Sequence, residues 1–554
     1  MKGQSVILIF LLIGIAVVNA SVIGIDLGSE SFKVALLKPK SFDLVFNEQG
    51  KRKTPTIVAF HDGEIIVGID AKNMLHKKPL STFANVMQLI GRSFNDPIVK
   101  KVQDPWIFPY RLVELKERGG LYGIPLDDNV TMTPQDLVGV ILGYAKSIAS
   151  KVSTSAVKDC VIAIPPFYNQ RQRQAIHDAA RLAGLNVLAL INGNTAAAIN
   201  WGIDREFNGE NDTYAIFYDM GASSTSASLI SFRSVPDESA KKNASNVNQA
   251  TVIAYAWDQT LGGRDFDRKL AKHFQSMVNK AKGEDVATNR RVMAKLMAAA
   301  QKTKETLTAN AKVPVSIDGL QEDYDFKTEV KREDFEKLCG ELIDRAVEPV
   351  KELLAKTGLT PDKISYFEII GGGTRVPAVQ RKLQEYISRD LDKHVNADEG
   401  TVLGATFYAA SQSSSFRTKK FKFKDILPFS VDVAIENEDK SLSKHVELFK
   451  KGSRIGLKKS FTFSSTEDFT ISFEYANMSE VPLGTSQLLS AVQVSGIPTK
   501  EMYNYTGKPE LQAYFRLSNS GMVVLDKVEA EITIIEYPKG SHFLSCVCAD
   551  FFFE

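Results

Sequence analysis

The chain has 554 residues, 44% of them hydrophobic and 24% charged, with a net charge of +2. That length suits about two to four domains with a sizeable core. The near-neutral balance argues against a dedicated nucleic-acid surface, and four cysteines in so long a chain argue against a disulfide framework.

In chain order, Lys2 precedes an apolar run over residues 6–18 that ends in Val18-Asn19-Ala20. This is the pattern of a secretory signal peptide over residues 1–20, cleaved after Ala20. The run is short of the ~20 apolar residues that a membrane span requires. Sequons of the form N-x-S/T at Asn129, Asn211, Asn243, Asn477 and Asn504 fit a lumenal, glycosylated chain.

Residues 22–36, VIGIDLGSESFKVAL, run as a strand into Asp26, turn at a Gly-Ser pair and return as a second strand. Cys160, beside the apolar stretch 161–164, reads as core. Residues 169–185 have the polar start, Ala-rich body and Gly184 stop of a helix. At 214–229, YAIFYDMGASSTSASL, the hairpin returns with Asp219 and Gly221 in place of Asp26 and Gly28. The polar stretch 232–249 is expected to be a loop, and 289–310 a helix with apolar residues at helical spacing. FEIIGGGTRVP at 367–377 is a third strand entering a glycine-rich turn.

Two segments led by one hairpin predict a duplicated α/β unit with a cleft between its halves, 21–205 and 212–412. A polar, basic linker is expected at 413–425, and an all-β domain at 426–537, where 461–475 and 527–537 alternate apolar with polar residues. The tail 538–554 breaks the alternation, and its Cys546-x-Cys548 is too sparse for a zinc site. It ends DFFFE, without a K-D-E-L-type retention signal.

An Asp at a strand end followed by glycine and hydroxyl residues suits phosphate and a hard cation. Glycine lets backbone N–H groups approach phosphate oxygens, and serine hydroxyls donate. Asp26 and Asp219 can orient Mg²⁺ through its retained waters. The alternative is that the glycines serve tight strand–helix packing. No P-loop and no G-x-G-x-x-G dinucleotide fingerprint occurs.

GIDLGSES (24–31), AIPPFYNQRQRQA (163–175), GLNVLALINGNTAAAI (184–199), FYDMGASST (217–225), LGGRDFD (261–267), GGGTRVP (371–377) and NADEGTVLGA (396–405) stand in the order found in heat-shock-protein-70 chaperones. The chain resembles that superfamily firmly over about 22–410. In DLGSES and NADEG it looks most like the large endoplasmic-reticulum branch, the hypoxia up-regulated proteins. The resemblance implies a two-lobed actin-like ATPase domain at 21–412, then a β-sandwich that binds extended peptide, with ATP or ADP and Mg²⁺ as cofactors. It puts Asp26, Gly28 and Ser29 in one phosphate loop and Asp219, Gly221, Ala222, Ser223 and Ser224 in the other. Gly262, Gly263, Lys304, Thr308, Gly371, Gly372, Gly373, Arg375 and Asp398 fall around the rest of the nucleotide. Pro165 and Arg173 match the pair that relays nucleotide state to the β domain.

The departures concern catalysis. Met87 stands where active members carry a lysine, and Gly193 where a metal-linked glutamate would be. Glu30 replaces a hydroxyl residue, and Gln301 and Glu305 replace a glutamate and an arginine. Lys72, Lys77 and Lys78 lie upstream of the vacated lysine position. Losing one transition-state-stabilising group costs ~10²–10³ in rate, so the expectation is nucleotide binding with weak hydrolysis. The implied function is an ATP-binding lumenal chaperone that holds unfolded proteins and acts as nucleotide-exchange factor for the conventional endoplasmic-reticulum chaperone. A conventional chaperone ATPase with normal turnover is the alternative, and a small-molecule kinase on the same fold a third reading. Where the resemblance implies a leucine-rich coupling segment, the chain has KDILPFSVDV (424–433) with Pro428 inside it, and no helical lid follows residue 537. The expectation is therefore a C-terminally truncated isoform or fragment.

Overall fold

The computed structural model describes residues 21–38, 41–102, 107–207, 212–237, 246–412 and 419–534. The expected leader, the sequons at Asn211 and Asn243, Cys546, Cys548 and the tail 538–554 lie outside them. The first sheet is built on the first hairpin. Ser21–Leu27 and Ser31–Lys38 pair antiparallel, with Leu27 opposite Phe32 and Asp26 opposite Lys33. Val157–Ile164 joins the leading strand in parallel, and Asn186–Asn192 follows it. The order across the sheet is Asn186–Asn192, Val157–Ile164, Ser21–Leu27, Ser31–Lys38, Ser41–Leu44.

The second sheet repeats the plan in the order Tyr366–Ile370, Thr213–Met220, Thr225–Pro236, Asn246–Asp258, Phe421–Lys424. Here Met220 faces Thr225 and Asp219 faces Ser226. In both sheets a parallel neighbour runs level with the aspartate: Ala163 beside Asp26, Ile370 beside Asp219. The leading strands are apolar on both faces because helices cover both sides. Ile23, Ile25, Val34 and Leu36 share a core with Leu137, Ile141 and Leu142 of the helix Pro134–Val152.

The expected helices form with their capping chemistry. Asn169 and Gln172 make a reciprocal capping box at the start of Gln170–Leu182. Asn289 caps Arg290–Leu307 by accepting from the Val292 N–H. The helices Gly193–Gly202 and Gly400–Gln412 pack face to face, and a Cβ on Gly404 would sit 1.7 Å from the Ala196 carbonyl oxygen, so only glycine permits the approach. Cys160 is fully buried, as expected of a core residue, and burial pushes its thiol up to about 12.

The expected loop at 232–249 is corrected. Phe232 pairs with Ala250 and Val235 with Val247, so both flanks of the polar stretch belong to a long antiparallel ribbon. Backbone pairing does not depend on side-chain polarity, so the polar ends of these two interior strands still complete the ladder. Phe421–Lys424, expected within the linker, is a strand parallel to residues 248–251.

From Val431 onward the chain is antiparallel β. One sheet runs Ser443–Phe449, Val431–Glu436, Phe469–Tyr475, Leu488–Val494; the other runs Lys458–Ser464, Tyr505–Leu517, Val523–Ile534. Alternating residues (Val431, Val433, Ile435; Leu511, Ala513, Phe515) turn inward to one core. Among the described residues, no helix is long and apolar enough to cross a membrane.

Candidate functional site

The two hairpin turns face each other across a cavity of about 460 Å³. Asp26, Gly28 and Ser29 line one wall, and Asp219, Gly221, Ala222, Ser223 and Ser224 the other. Gly263, Lys304 and Thr308 come from a helical pair, and Gly371, Gly372, Gly373, Arg375 and Asp398 complete the wall. Gly262 stands one residue behind it. It caps the helix Gly263–Lys282, its N–H donating to Asp265 at 2.9 Å. The structure thus brings together residues up to 372 positions apart in sequence, from Asp26 to Asp398.

The turns touch: the Ser29 and Ser223 hydroxyls lie 2.7 Å apart. Further polar contacts close the cleft around them. Arg264 reaches Glu30 at 3.2 Å, Lys53 reaches Asp398 at 3.1 Å and Arg52 reaches Glu399 at 2.7 Å. Gly371 adopts φ +80°, which places a strand end against Asp219; a Cβ there would lie 2.3 Å from Oδ1.

Each charged group has a defined setting. Burial favours the neutral form of Asp219, and the Asp26 charge adds to it, so its carboxyl is pushed up to about 6 although Lys33 pulls the other way. Asp267 is also raised to about 6 by burial, against the opposing pull of Lys304 at 2.8 Å. Burial would raise Asp398, but hydrogen bonds from Arg375 and Lys53 hold it below the usual carboxylate range. Glu30, expected beside the phosphate loop, turns to the rim. There Arg264 and Lys72 outweigh burial and hold it at about 2. Gln301 also reaches Glu30, at 3.3 Å, and Glu305 at 3.1 Å. Lys304 donates to the Gly263 carbonyl at 2.9 Å, and the Thr308 hydroxyl donates to the Glu305 carbonyl.

Met87 is buried, in the turn Val86–Gln88. It lines a small cavity of about 30 Å³ next door, shared with Ser29, Tyr168 and Ser223, and its carbonyl accepts from the Tyr168 hydroxyl at 3.1 Å. It puts no charge there. Gly193 lines the main cavity, and a Cβ on it would meet nothing closer than 3.8 Å. The position is roomy but carries no carboxylate.

Sequence reasoning missed Lys33, Lys53, Arg264 and Asp267, all in the cavity wall. For Lys33 the signal was present. A turn at 28–31 makes Asp26 and Lys33 cross-strand partners, whose side chains share a face. Arg264 and Asp267 stand in LGGRDFD, in the first turns of the helix that the glycines open.

The donor set suits a polyphosphate. Serine hydroxyls, Lys33, Lys304 and Arg264 converge, and one buried Arg264 Nη lacks a hydrogen-bond partner among the described residues. It suits a directly ligated metal poorly. Asp26 is already paired with Lys33 at 2.8 Å, and no group of three or more metal-ligating side chains occurs among the described residues.

The family model described as "Hsp70 protein" matches residues 22–536. The chain belongs to the Hsp70 family. Hsp70 proteins are chaperones that bind ATP or ADP, usually with Mg²⁺. The chain is similar to "Hypoxia up-regulated protein 1" of Danio rerio, 33% identical over 538 residues, which covers 94% of this chain and 54% of that protein. It is 34% identical over 534 residues to the protein of that name from Xenopus laevis, covering 92% and 81%. It is 36% identical over 536 residues to "Heat shock 70 kDa protein 17" of Arabidopsis thaliana, covering 94% and 61%. The chain therefore spans about half the length of the Danio rerio Hsp70 relative.

Proposed function

We propose that this chain is a lumenal, large-type Hsp70 chaperone that binds ATP or ADP between its two hairpins and hydrolyses ATP weakly. In this reading residues 21–412 form a two-lobed actin-like nucleotide-binding unit, with lobes 21–205 and 212–412. Residues 413–425 join it to a β-sandwich at 426–537 that holds extended, unfolded client segments. Slow hydrolysis suits a nucleotide-exchange factor for the conventional endoplasmic-reticulum chaperone, because the partner does the cycling.

The observation that carries the reading is the contact of Ser29 with Ser223, two hydroxyls on duplicated Asp-x-Gly turns in the wall of a cavity that Lys33, Lys304 and Arg264 also line. Such turns offer N–H and O–H groups to phosphate oxygens. The absence of charge at Met87 and Gly193 supports weak turnover. Bound Mg²⁺ would spread phosphate charge; Lys33, Lys304, Arg264 and the serines hold and orient the phosphates. The lumenal assignment rests on the leader pattern, on exposed sequons at Asn129, Asn477 and Asn504, and on the likeness to hypoxia up-regulated proteins.

Calorimetric titration with ATP and ADP, followed by single-turnover hydrolysis, tests this. Saturable binding of both is expected, with hydrolysis slower than that of an ordinary Hsp70 by about 10² or more. No binding heat would remove the reading; ordinary turnover would favour the conventional ATPase instead.

A further inference from the structure

Among the described residues, Lys33 is the one cation of the cavity wall paired with a hairpin aspartate. The antiparallel register sets it opposite Asp26, so both side chains leave the same face of the ribbon toward the cavity. Its ammonium lies 2.8 Å from Asp26 Oδ2, with the two side chains 12% and 18% exposed. Asp219 and Asp398 add to the negative field around it.

The second hairpin shows that the fold does not require this cation. The equivalent position there is Ser226, opposite Asp219, and its hydroxyl donates to Asn194 at 2.8 Å. Across the cleft, Gly193 adds no carboxylate to that of Asp219. A Cβ on Gly193 would stand 4.0 Å from Asp219 Oδ2, with room for a longer side chain that the sequence does not supply. One jaw thus pairs its aspartate with a cation, while beside the aspartate of the other jaw stands a glycine.

A divalent ion approaching Asp26 meets a carboxylate already neutralised and an ammonium alongside it. A phosphate approaching the same point meets a positive donor held in place by its partner. We propose that Lys33 is a resident cation of the nucleotide cleft, doing beside Asp26 the charge-neutralising work of a divalent metal, so that nucleotide binding depends only weakly on Mg²⁺. This rests on the nucleotide-binding reading above and adds to it the source of the positive charge.

The test is calorimetric titration of ADP and ATP into the full chain, in Mg²⁺ and in EDTA, for wild type, Lys33→Met and Lys33→Arg. Wild type and Lys33→Arg should lose less than about 10-fold in affinity when Mg²⁺ is removed, whereas Lys33→Met should lose about 100-fold or more. Mn²⁺ relaxation gives a second readout: Lys33→Met should bind the ion at the vacated carboxylate more tightly than wild type does. A wild-type affinity that collapses in EDTA by 100-fold overturns the proposal and needs no variant, so a Lys33→Met protein that fails to fold leaves it refutable. Equal EDTA losses in wild type and Lys33→Met also overturn it, while nucleotide binding itself stands. Absence of binding in both buffers overturns the nucleotide reading and this inference together.

Discussion

At the scale of single residues, the proposed weak hydrolysis rests on Met87 and Gly193. Met87 is buried beside Ser29 and Ser223, close enough to the turns that a lysine ammonium extended from its position would enter the small cavity between them. Met87→Lys introduces a cation where charge develops on a transferring phosphoryl group. Single-turnover hydrolysis of bound ATP should rise by roughly 10-fold or more, recovering part of the ~10²–10³ that one such group supplies. ATP affinity should change far less, since the existing donors remain. A rate that stays at the wild-type level, in a variant that still binds ATP, would show that the lost lysine is not what limits turnover.

At the scale of elements, the helices Gly263–Lys282 and Arg290–Leu307 are pinned to each other through Asp267 and Lys304 under the cavity. The Asp267 carboxyl is raised by burial from 3.8 to about 6 in the folded chain, so the folded state takes up a proton there before the unfolded state does. Stability from this group therefore increases as pH falls through 6 toward 4. Asp219 acts in the same direction, while half-buried His177, held below 6.5 by desolvation, opposes it. Glu30 runs the other way too, but its contribution, set by a carboxyl held at about 2, is lost only below about 4.5. Scanning calorimetry of wild type and Asp267→Asn at pH 7 and pH 5 isolates the group. The melting temperature of wild type relative to the variant should be higher at pH 5 than at pH 7, and a constant difference would refute the assignment. Much at this scale was legible in the sequence: both hairpins, the Asn169 and Asn289 caps, and the alternation of 461–475 follow from local pattern. The strand Phe421–Lys424 was not, because its FKFK lies in a basic, polar run and becomes a strand only when residues 248–251 offer it an edge. The closed cleft was hidden for a similar reason. Arg264 and Lys53 acquire meaning only from Glu30 and Asp398, hundreds of residues away.

At the scale of the whole molecule, the β region is fastened to the first sheet through a helix start, Gln170–Arg173, and the strand end at Asn192. Arg173 donates to the Ser520 carbonyl at 2.9 Å and to Asn192 at 3.0 Å, and Gln170 contacts Gly521, Val523 and the Tyr475 hydroxyl. Asn192 in turn donates to buried Asp425 at 3.0 Å, the residue immediately after the strand Phe421–Lys424, and Tyr255 donates to it at 2.6 Å. Trp257 bridges the parts, its ring near Phe167 on one side and Phe429 on the other. Arg173 is thus the charged hub of a buried polar network, and such networks fail sharply when one member is removed. Arg173→Ala deletes hydrogen bonds from a charged donor, each worth about 1.5–3 kcal/mol, and leaves the buried Asn192 Oδ1 without the donor it has in the wild type. Scanning calorimetry should show the β region of the variant melting as a separate, earlier transition, accompanied by a change in Trp257 emission. Lys substitution should rescue little of the coupling, because the fork that reaches Ser520 and Asn192 together is specific to a guanidinium. If the variant melts as wild type does, with Trp257 emission unaltered, the fastening must lie instead in the Gln170 and Asp425 contacts.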